Sequence, residues 1–390
     1  MRTRTFLTRT VPLLLALLLP LAVGCRKTTQ SPENAPPAAE ASTDATEGTP
    51  DSADSGSYAV SETEATAFAQ HLEASLAKHD AMPFVRAMDW NALTDAVLKD
   101  TPQNSSEGVY KREDLQQSLS LSGSIATGIG EKVRQGGAFH FLHVKHIGQR
   151  TAVMFRLVDP DGGLDYLDLY LKHGPGKLIQ IDEIYLYHFG ETLSNALRRT
   201  LMPELYVGGQ SSYGVMMSDV VRLLFRENVQ LIQKLFSSFA AGNFLQTLDL
   251  YRALPEELQH CKSILILRLQ AAQHVPDPSV YAYALAETRE LLKDDPCAEF
   301  LSLDYFFEHH QYEDALKCVD HINELIGGDV YLSLFRCLAL AHLGRMDEAE
   351  REYAHALETD PRLKDDLSFQ NLPKIFDLLK RQQKKNEQTP

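Results

Sequence analysis

The spacing of hydrophobic residues changes twice along the chain. Phe68, Leu72 and Leu76 recur four residues apart, which is typical of an amphipathic helix. Just before them, Ser61 and Glu64 have the spacing of a capping box, in which each side chain bonds to the other residue's backbone. The body of the protein is therefore predicted to begin with a helix.

Two further helices are predicted before the spacing changes. The first opens at Pro83 and has its hydrophobic positions at Phe84, Met88, Leu93 and Val97. The second begins near Lys111, after the breaker sequence TPQNSSEG, and is expected to be irregular at its glycines. These glycines are Gly123, Gly128 and Gly130.

The hydrophobic period then becomes two, as in a β-strand. Four strands are predicted, at residues 138–146, 151–158, 163–171 and 178–189. The sequences between them, IGQR, DPDGG and HGPGK, have the composition of hairpin turns. Helices followed by consecutive hairpins predict an α+β fold with helices on one face of an antiparallel sheet.

This order of elements resembles the nuclear-transport-factor-2-like (NTF2-like) fold, in which helices and a curved antiparallel sheet form a cone. The resemblance covers about residues 61–201 and rests on element order and on the last strand, KLIQIDEIYLY. It implies an α+β domain at 59–205. Enzymes, ligand binders and structural domains share this fold, so the resemblance does not imply a function.

Helical spacing returns in the last part of the chain, where it repeats. The segment YLSLFRCLALAHLGRMDEAEREYAHALETDP, at 331–361, resembles a tetratricopeptide repeat. The matching positions are Cys337, Leu340, Gly344, Ala349, Tyr353, Ala356, Leu357 and Pro361. Weaker matches upstream predict about four repeats at 227–361, and a final helix through Phe376 would cap them. The resemblance implies an all-α superhelix at 215–385.

The chain begins with an apolar run at 11–23, which is too short to span a bilayer. Three arginines and no acid precede it, so residues 1–24 are predicted to be a signal peptide. The sequence Ala-Val-Gly before Cys25 resembles the lipobox of bacterial lipoproteins, which implies that Cys25 carries several acyl chains. The alternative is an ordinary signal peptide that happens to precede a cysteine. By analogy with the lipoproteins of enteric bacteria, a residue other than Asp after the lipidated cysteine, here Arg26, indicates sorting to the outer membrane. The protein would then lie on the periplasmic side.

The composition and net charge of the chain limit the kinds of partner that it is expected to bind. Residues 26–57 contain no Val, Ile, Leu, Met, Phe, Trp, Tyr or Cys, so 25–58 is predicted to be a lipidated, disordered tether. The net charge of −15 argues against nucleic acid and against an anionic membrane surface as partners. The expected membrane contact is the lipid anchor alone.

A polar pocket in the cone is one candidate site. Strand alternation places Tyr166 and Asp168 on one face, Glu183 and Tyr185 on one face of the next strand, and His140 nearby. If these side chains line the interior of the cone, they would form a polar pocket that could perform general acid–base catalysis. The alternative is that they face solvent, because Asp165 and Asp182 place acids on the opposite faces as well.

Metal and cofactor sites are not expected. On a regular strand, His140 and His146 share one face and His143 lies on the other, so the three histidines would not converge. The sequence also contains no HExxH motif, no GxSxG motif and no phosphate-binding loop. Cys261, Cys297, Cys318 and Cys337 form no CxxC pair and are expected to be buried free thiols.

The leading hypothesis is a non-enzymatic, membrane-anchored scaffold whose repeats bind an unidentified protein or peptide. By family analogy, the groove positions on the first helices of the last two repeats are Phe300, Asp304, Phe307, Glu308, Tyr331, Leu334, Leu338 and His342. The alternative for this groove is that the final helix or the α+β domain covers it. The alternative function is a small-ligand binder or an enzyme that uses the cone pocket.

Overall fold

The computed structural model of the protein describes residues 60–99, 112–122, 124–160, 162–201, 223–224, 227–293, 295 and 297–387. The predicted signal peptide and the whole predicted tether, with Cys25, lie outside these ranges, as does the predicted domain boundary at 205–215. Within the described ranges, no helix combines the length and the apolar character needed to cross a bilayer.

The first helix, α1 (Glu62–Ala77), begins at the predicted capping box. Ser61 Oγ accepts a hydrogen bond from the Glu64 N–H at 3.4 Å, and the Glu64 carboxylate accepts one from the Ser61 N–H at 3.1 Å. Because Leu72 and Leu76 are buried, the helix uses the predicted apolar face.

The predicted helix at Pro83 is divided in two, α2 (Met82–Ala87) and α3 (Trp90–Leu98). Between them Met88 is extended and forms a parallel bridge with Ile181, while the Asp89 N–H donates to the Ile181 carbonyl at 2.8 Å. The break therefore lets the chain pair briefly with a strand, which hydrophobic spacing alone did not predict.

Two helices follow, α4 (Arg112–Ser122) and α5 (Ser124–Arg134), and residue 123 between them is not described. The irregularity predicted at Gly128 and Gly130 is wrong, because α5 continues through both. A Cβ at Gly130 would lie 2.7 Å from the Ala81 Cβ. Glycine at this position allows the close approach of α5 to the segment before α2, at a modest cost in helix propensity.

The four predicted strands are confirmed and form an antiparallel sheet with a short fifth strand. The strands are β1 (Ala138–Ile147), β2 (Arg150–Val158), β3 (Leu164–His173), β4 (Ile179–Leu186) and β5 (Glu191–Thr192), and they lie in this order across the sheet. A bulge in β1 falls between Phe141 and His143. Helix α6 (Leu193–Leu201) follows β5.

The helical half of the described chain contains four consecutive helix pairs, as the repeat spacing predicted. The pairs are α7 (Val229–Ala240) with α8 (Phe244–Arg252), α10 (Lys262–Gln273) with α11 (Pro278–Leu291), α12 (Cys297–Glu308) with α13 (Tyr312–Ile326), and α14 (Ser333–His342) with α15 (Met346–Thr359). The one-turn helix α9 (Glu256–Gln259) separates the first two pairs, and α16 (Leu367–Glu387) closes the chain. Consecutive pairs contact one another.

The turns within three of these pairs share a backbone conformation. Gly242, His310 and Gly344 all have positive φ, of 74°, 57° and 80°. Glycine adopts this left-handed conformation without strain, whereas histidine does so at a cost. His310 therefore has the same turn geometry as the two glycines, despite its different side chain.

The sheet has two covered faces. Its inner face, which includes Phe139, Phe155 and Leu167, belongs to the same buried cluster as the N-terminal helices and pairs α7–α8 and α10–α11. Its outer face, which includes Met154, Tyr166 and Tyr185, belongs to a cluster with α12–α16. The fold is therefore a helix-and-sheet half followed by a helical half, and the sheet lies between its own helices and the last helix pairs.

Candidate functional site at the junction of the two halves

The strand register brings most of the predicted pocket residues to one face. Asp168 lies opposite Tyr185, and Tyr170 lies opposite Glu183. Tyr166 lies opposite Arg156, which in turn lies opposite His140. This is the outer face of the sheet, and it is covered by the helical half. Tyr166, Asp168 and Tyr185 are therefore buried against the helical half and do not face an open cone or solvent.

Phe300 of α12 is the main aromatic contact from the helical half. Its ring centroid lies 5.9 Å from that of Tyr166 and 5.9 Å from that of Tyr187. Phe300 is only 8% exposed, and Tyr331, in the turn before α14, is 1% exposed. We call the buried surface formed by Arg156, Tyr166, Asp168, Phe300, Asp329 and Tyr331 the junction.

A buried ion pair lies at the centre of the junction. Arg156 Nη1 donates to Asp329 Oδ1 at 2.6 Å, and both side chains are 2% exposed. The Tyr166 hydroxyl donates to Asp329 Oδ2 at 2.9 Å, and the Arg156 guanidinium lies 4.4 Å from the centre of the Tyr331 ring. Burial raises the pKa of Tyr166, which keeps this hydroxyl protonated as a donor. Breaking such a pair costs several kcal/mol, because a charge is left buried without its partner.

The backbone around Asp329 positions its carboxylate. Helix α13 ends at Gly327, which has a φ of 82°, and a 3-10 turn at Val330–Leu332 follows. Asp329 caps this turn, since its Oδ1 accepts from the Tyr331 N–H at 3.0 Å. A Cβ at Gly327 would lie 3.1 Å from His143 Nε2 on β1, so glycine at this position leaves room for the loop to approach the sheet.

A second polar group on the outer face contains an acid, an amine and a phenol. Asp168 Oδ2 accepts from the Tyr187 hydroxyl at 2.8 Å and from Lys145 Nζ at 3.3 Å, and Lys145 Nζ also donates to the Tyr187 oxygen at 2.6 Å. Burial raises the pKa of Asp168. These residue types can perform acid–base chemistry, but here their hydrogen bonds are made to one another.

The other predicted pocket residues, Glu183 and His140, bond to partners outside the junction. Glu183 accepts from the Ser194 N–H at 3.2 Å and from the Ser194 hydroxyl, so it caps the first turn of α6. His140 Nδ1 lies 2.8 Å from Glu73 Oε1 on α1. Glu183, His140 and Asp168 therefore bond to three separate sets of partners instead of converging on one cavity.

Another polar tie joins the halves at the far end of the sheet. Lys262 Nζ, on α10, donates to the Gly190 carbonyl at 2.8 Å and to Asp295 Oδ2 at 2.5 Å. Gly190 precedes β5 and has a φ of 57°. A Cβ there would lie 2.4 Å from Asp295 Oδ1, so a side chain at this position would disturb the tie.

The predicted partner groove is divided by this arrangement. Phe300, Tyr331 and Leu334 are buried, and we call them the covered half of the groove. Phe307, Glu308 and Leu338 are half-buried and His342 is exposed, and we call them the open half. Asp304 lies in α12, but its side chain is not described.

Two side chains of the open half, Phe307 and His342, pack against the ring of Tyr312. The His342 ring stacks on Tyr312 with centroids 4.6 Å apart and planes 9° apart. The Phe307 ring lies 6.1 Å from the Tyr312 ring. Burial raises the pKa of Glu308 and lowers that of His342, so His342 is largely neutral at pH 7.

The expected arrangement of the three strand histidines is wrong. His140 pairs with Arg156 and His143 with Met154, which places both on the outer face, whereas His146 pairs with Thr151 on the inner face. The bulge in β1 adds one residue between His140 and His143 and so reverses the alternation. Among the described residues, no group of three or more His, Cys, Asp or Glu is placed to hold a metal ion.

The cysteines are thiols in the described chain. Cys297, Cys318 and Cys337 are buried, and Cys261 is half-buried. Burial raises the pKa of Cys261 to about 11, so little of its reactive thiolate form exists at neutral pH.

Sequence reasoning missed Arg156 and Asp329, which carry the junction. A signal for Arg156 was available, because it interrupts the otherwise apolar strand sequence TAVMFRLV. A charged residue within such a run is either exposed at an edge or paired in the interior. Asp329 gave no comparable signal, since an acid after two glycines is common in turns.

Comparison with known proteins does not assign the chain. No family model matches it, and no curated protein and no solved structure matches it either.

Proposed function

We propose that this protein is a lipid-anchored, non-enzymatic scaffold of the bacterial envelope that binds a protein or peptide through its helical half. Its place would be the periplasmic side of the outer membrane. Support for the anchor comes from the arginines, the short apolar run and Cys25 at the start of the chain. The 32 residues of 26–57 would act as a flexible spacer between the membrane and the body.

We propose further that the helix pairs are tetratricopeptide-type repeats in a superhelix and that the N-terminal half is an NTF2-like domain. The common left-handed turns at Gly242, His310 and Gly344 support the repeat assignment. In this proposal the NTF2-like domain supports the solenoid, because its sheet fills the covered half of the groove.

The observation that carries the binding proposal is the exposure of the open half next to the covered half. An exposed histidine stacked on an aromatic ring, beside half-buried apolar groups, has the composition of an interface centre. A partner would contact Phe307, Leu338 and His342, with Glu308 at the rim. The enzyme alternative is weaker, since it requires His140, Asp168 and Glu183 to meet.

Site-specific photo-crosslinking tests the open half. A benzophenone amino acid at position 342 of the full-length chain is expected to give one dominant adduct in cells. The same group at Leu367, which is exposed at the start of α16, is the matched control and should give none. Equal adduct patterns at the two positions would refute the proposed surface.

Adduct formation at position 342 should fall when Phe307 is changed to Ala, because the partner loses an apolar contact. Thermal unfolding of Phe307→Ala must be measured in parallel, since Phe307 also lies 6.2 Å from the Phe335 ring. A lowered melting temperature with an unchanged adduct would assign Phe307 to the core instead.

Labelling with a palmitate analogue tests the anchor separately. The wild-type chain should be labelled and Cys25→Ser should not, because Cys25 would supply the acylated thiol and amine. Label that persists in Cys25→Ser would contradict lipidation at this residue.

A further inference from the structure

A groove of about 430 Å³ lies between α8, α10 and α11, away from the junction and from the open half. Tyr251, Arg268, Tyr283 and Glu287 are among the residues that line it. We call it the Arg268 groove. Its volume falls within the range of small-ligand sites.

Arg268 is held rigidly at this groove. Its side chain is 9% exposed, and its Nη1 donates to Glu287 Oε2 at 2.5 Å and to the Tyr251 hydroxyl at 3.1 Å. The guanidinium lies 4.6 Å from the centre of the Tyr251 ring and 5.4 Å from that of the Tyr283 ring. Two tyrosines and a carboxylate therefore fix the plane of the guanidinium before any ligand arrives.

The remaining edge of this guanidinium is unused. Nε and Nη2 of Arg268 have no hydrogen-bond partner among the residues that the structure describes. This is the edge that arginine uses to grip a carboxylate with two parallel hydrogen bonds. Arg134, Arg345 and Arg362 each direct the same edge at a carboxylate of this chain. Arg268 is much more buried than these three arginines, yet its gripping edge is unoccupied.

The unoccupied edge of Arg268 and the walls of the groove favour a monoanion. The charged side chains that line the groove are Arg252, Arg268 and Glu287, and Arg252 also pairs with the exposed Asp249 at 2.7 Å. Leu248 and Val280 add apolar surface, and the Tyr283 side chain is 69% exposed at the rim. An exposed tyrosine beside a pre-organised arginine suits a ligand with an apolar or aromatic body and one carboxylate.

We propose that the Arg268 groove binds a monocarboxylate with an apolar or aromatic body. The carboxylate would accept hydrogen bonds from Arg268 Nε and Nη2, and the body would pack against the exposed Tyr283 ring and Val280. The carboxylate belongs either to a free organic acid or to the C-terminus of a peptide. This site is independent of the partner surface proposed above, because it uses different helix pairs.

Ligand-observed NMR titration of the full-length chain tests the proposal with two acids and their neutral analogues. 4-Phenylbutyrate represents a free acid, and N-acetylphenylalanine represents a peptide C-terminus. One bidentate contact and one ring predict a Kd on the order of 1 mM for the preferred acid. The two carboxamide analogues should bind at least about tenfold more weakly, because they lack the charge that Arg268 recognises. The preferred acid identifies the source of the carboxylate.

Arg268→Lys should weaken binding of the preferred acid by about tenfold, because lysine keeps the charge but cannot donate through a planar fork. The matched control is Arg336→Lys, which removes the corresponding fork from a different helix pair and should leave the Kd unchanged. Tyr283→Ala should weaken binding about threefold without affecting folding, since this side chain is mostly exposed.

The proposal is overturned if neither acid binds at ~20 mM, if each amide binds as well as its acid, or if folded Arg268→Lys retains the wild-type Kd. Should Arg268→Lys fail to fold, the acid–amide comparison and Tyr283→Ala still decide. Wild-type affinity in Tyr283→Ala, together with equal acid and amide affinity, would place the probe outside this groove.

Discussion

The two faces of the sheet are buried by different chemistry. On the inner face, Phe139 and Phe155 stack with ring centroids 4.3 Å apart, and the surrounding side chains are mostly aliphatic. On the outer face, Arg156, Tyr166 and Asp168 are buried together with their polar partners. The inner face is therefore stabilised by area removed from water, whereas the outer face depends on ion pairs and hydrogen bonds among buried polar groups.

Because of this difference, the two faces place different requirements on the segments that cover them. Apolar contacts are non-directional, so the inner face accepts any well-packed apolar cover. The ion pair of the outer face joins residues 173 positions apart, Arg156 and Asp329, and requires one geometry. The outer face thus fixes how the helical half sits on the sheet, whereas the inner face contributes stability without requiring one geometry.

Removal of an aromatic ring from the inner face should have the largest effect. Phe155→Ala leaves a cavity beside Phe139 and Phe141 and should lower the free energy of unfolding by about 4 kcal/mol. Chemical denaturation of the full-length chain measures this, and Leu178→Ala, at an exposed position, is the control. A loss below about 1 kcal/mol would mean that the inner face is loosely packed.

Disruption of the ion pair on the outer face should have the next largest effect. Asp329→Asn keeps one acceptor oxygen for the Tyr331 N–H, but it replaces the acceptor of the Tyr166 hydroxyl with an amide N–H donor and leaves the Arg156 charge uncompensated. The expected loss is about 3 kcal/mol. Asp320→Asn, which breaks an exposed pair with Arg336, is the matched control and should cost less than about 1 kcal/mol.

The double variant Arg156→Met with Asp329→Asn should recover most of that loss, because no charge then remains buried. Recovery would separate the cost of an unpaired charge from the cost of a lost contact. If the double variant is no more stable than Asp329→Asn, the pair acts through packing and geometry instead.

The sequence predicted the elements well, because their signals are local. Hydrophobic spacing placed α1, the four long strands and the four helix pairs, and the capping box placed the start of α1. Two local features escaped. The break at Met88 serves a bridge to Ile181, and the bulge after Phe141 reversed the faces of His143 and His146. Neither feature alters the spacing of hydrophobic residues enough to be recognised.

The candidate site could be predicted only in part, for a different reason. Alternation correctly grouped Tyr166 and Asp168 on one face. Polar residues at every second position are equally compatible with solvent, with a pocket and with a face buried by distant polar partners. To choose among these three environments, one must know that Asp329 pairs with Arg156. No local sequence pattern carries that information, because the two residues lie far apart in the chain.

A buried acid on the inner face, Asp165, allows a sensitive test of how completely that face excludes water. Asp165 lies opposite Leu157 and is buried near Lys132, Asp159 and His188. Lys132 Nζ lies 2.6 Å from Asp159 Oδ1. Burial raises the pKa of Asp165 to about 7 and lowers that of His188 to about 4. This cluster is thus an exception on the apolar face, where burial favours the neutral forms of Asp165 and His188.

The two shifts should act in opposite directions on stability. Between about pH 4 and pH 6.5, folded Asp165 keeps a proton that the unfolded chain has lost, so this residue makes stability fall by about 1.4 kcal/mol per pH unit. Over the same range, folded His188 lacks a proton that the unfolded chain holds, so it makes stability rise by a similar slope. In the wild type the two contributions nearly cancel.

Relative to the wild type, Asp165→Asn should therefore give stability a more positive dependence on pH, and His188→Gln should give it a more negative dependence. Urea denaturation of each chain at several pH values between 4.5 and 6.5 measures the two slopes, and differences from the wild type remove the groups that all chains share. If both variants follow the wild-type profile, these groups are solvated, and the inner face is less dry than its aromatic packing indicates.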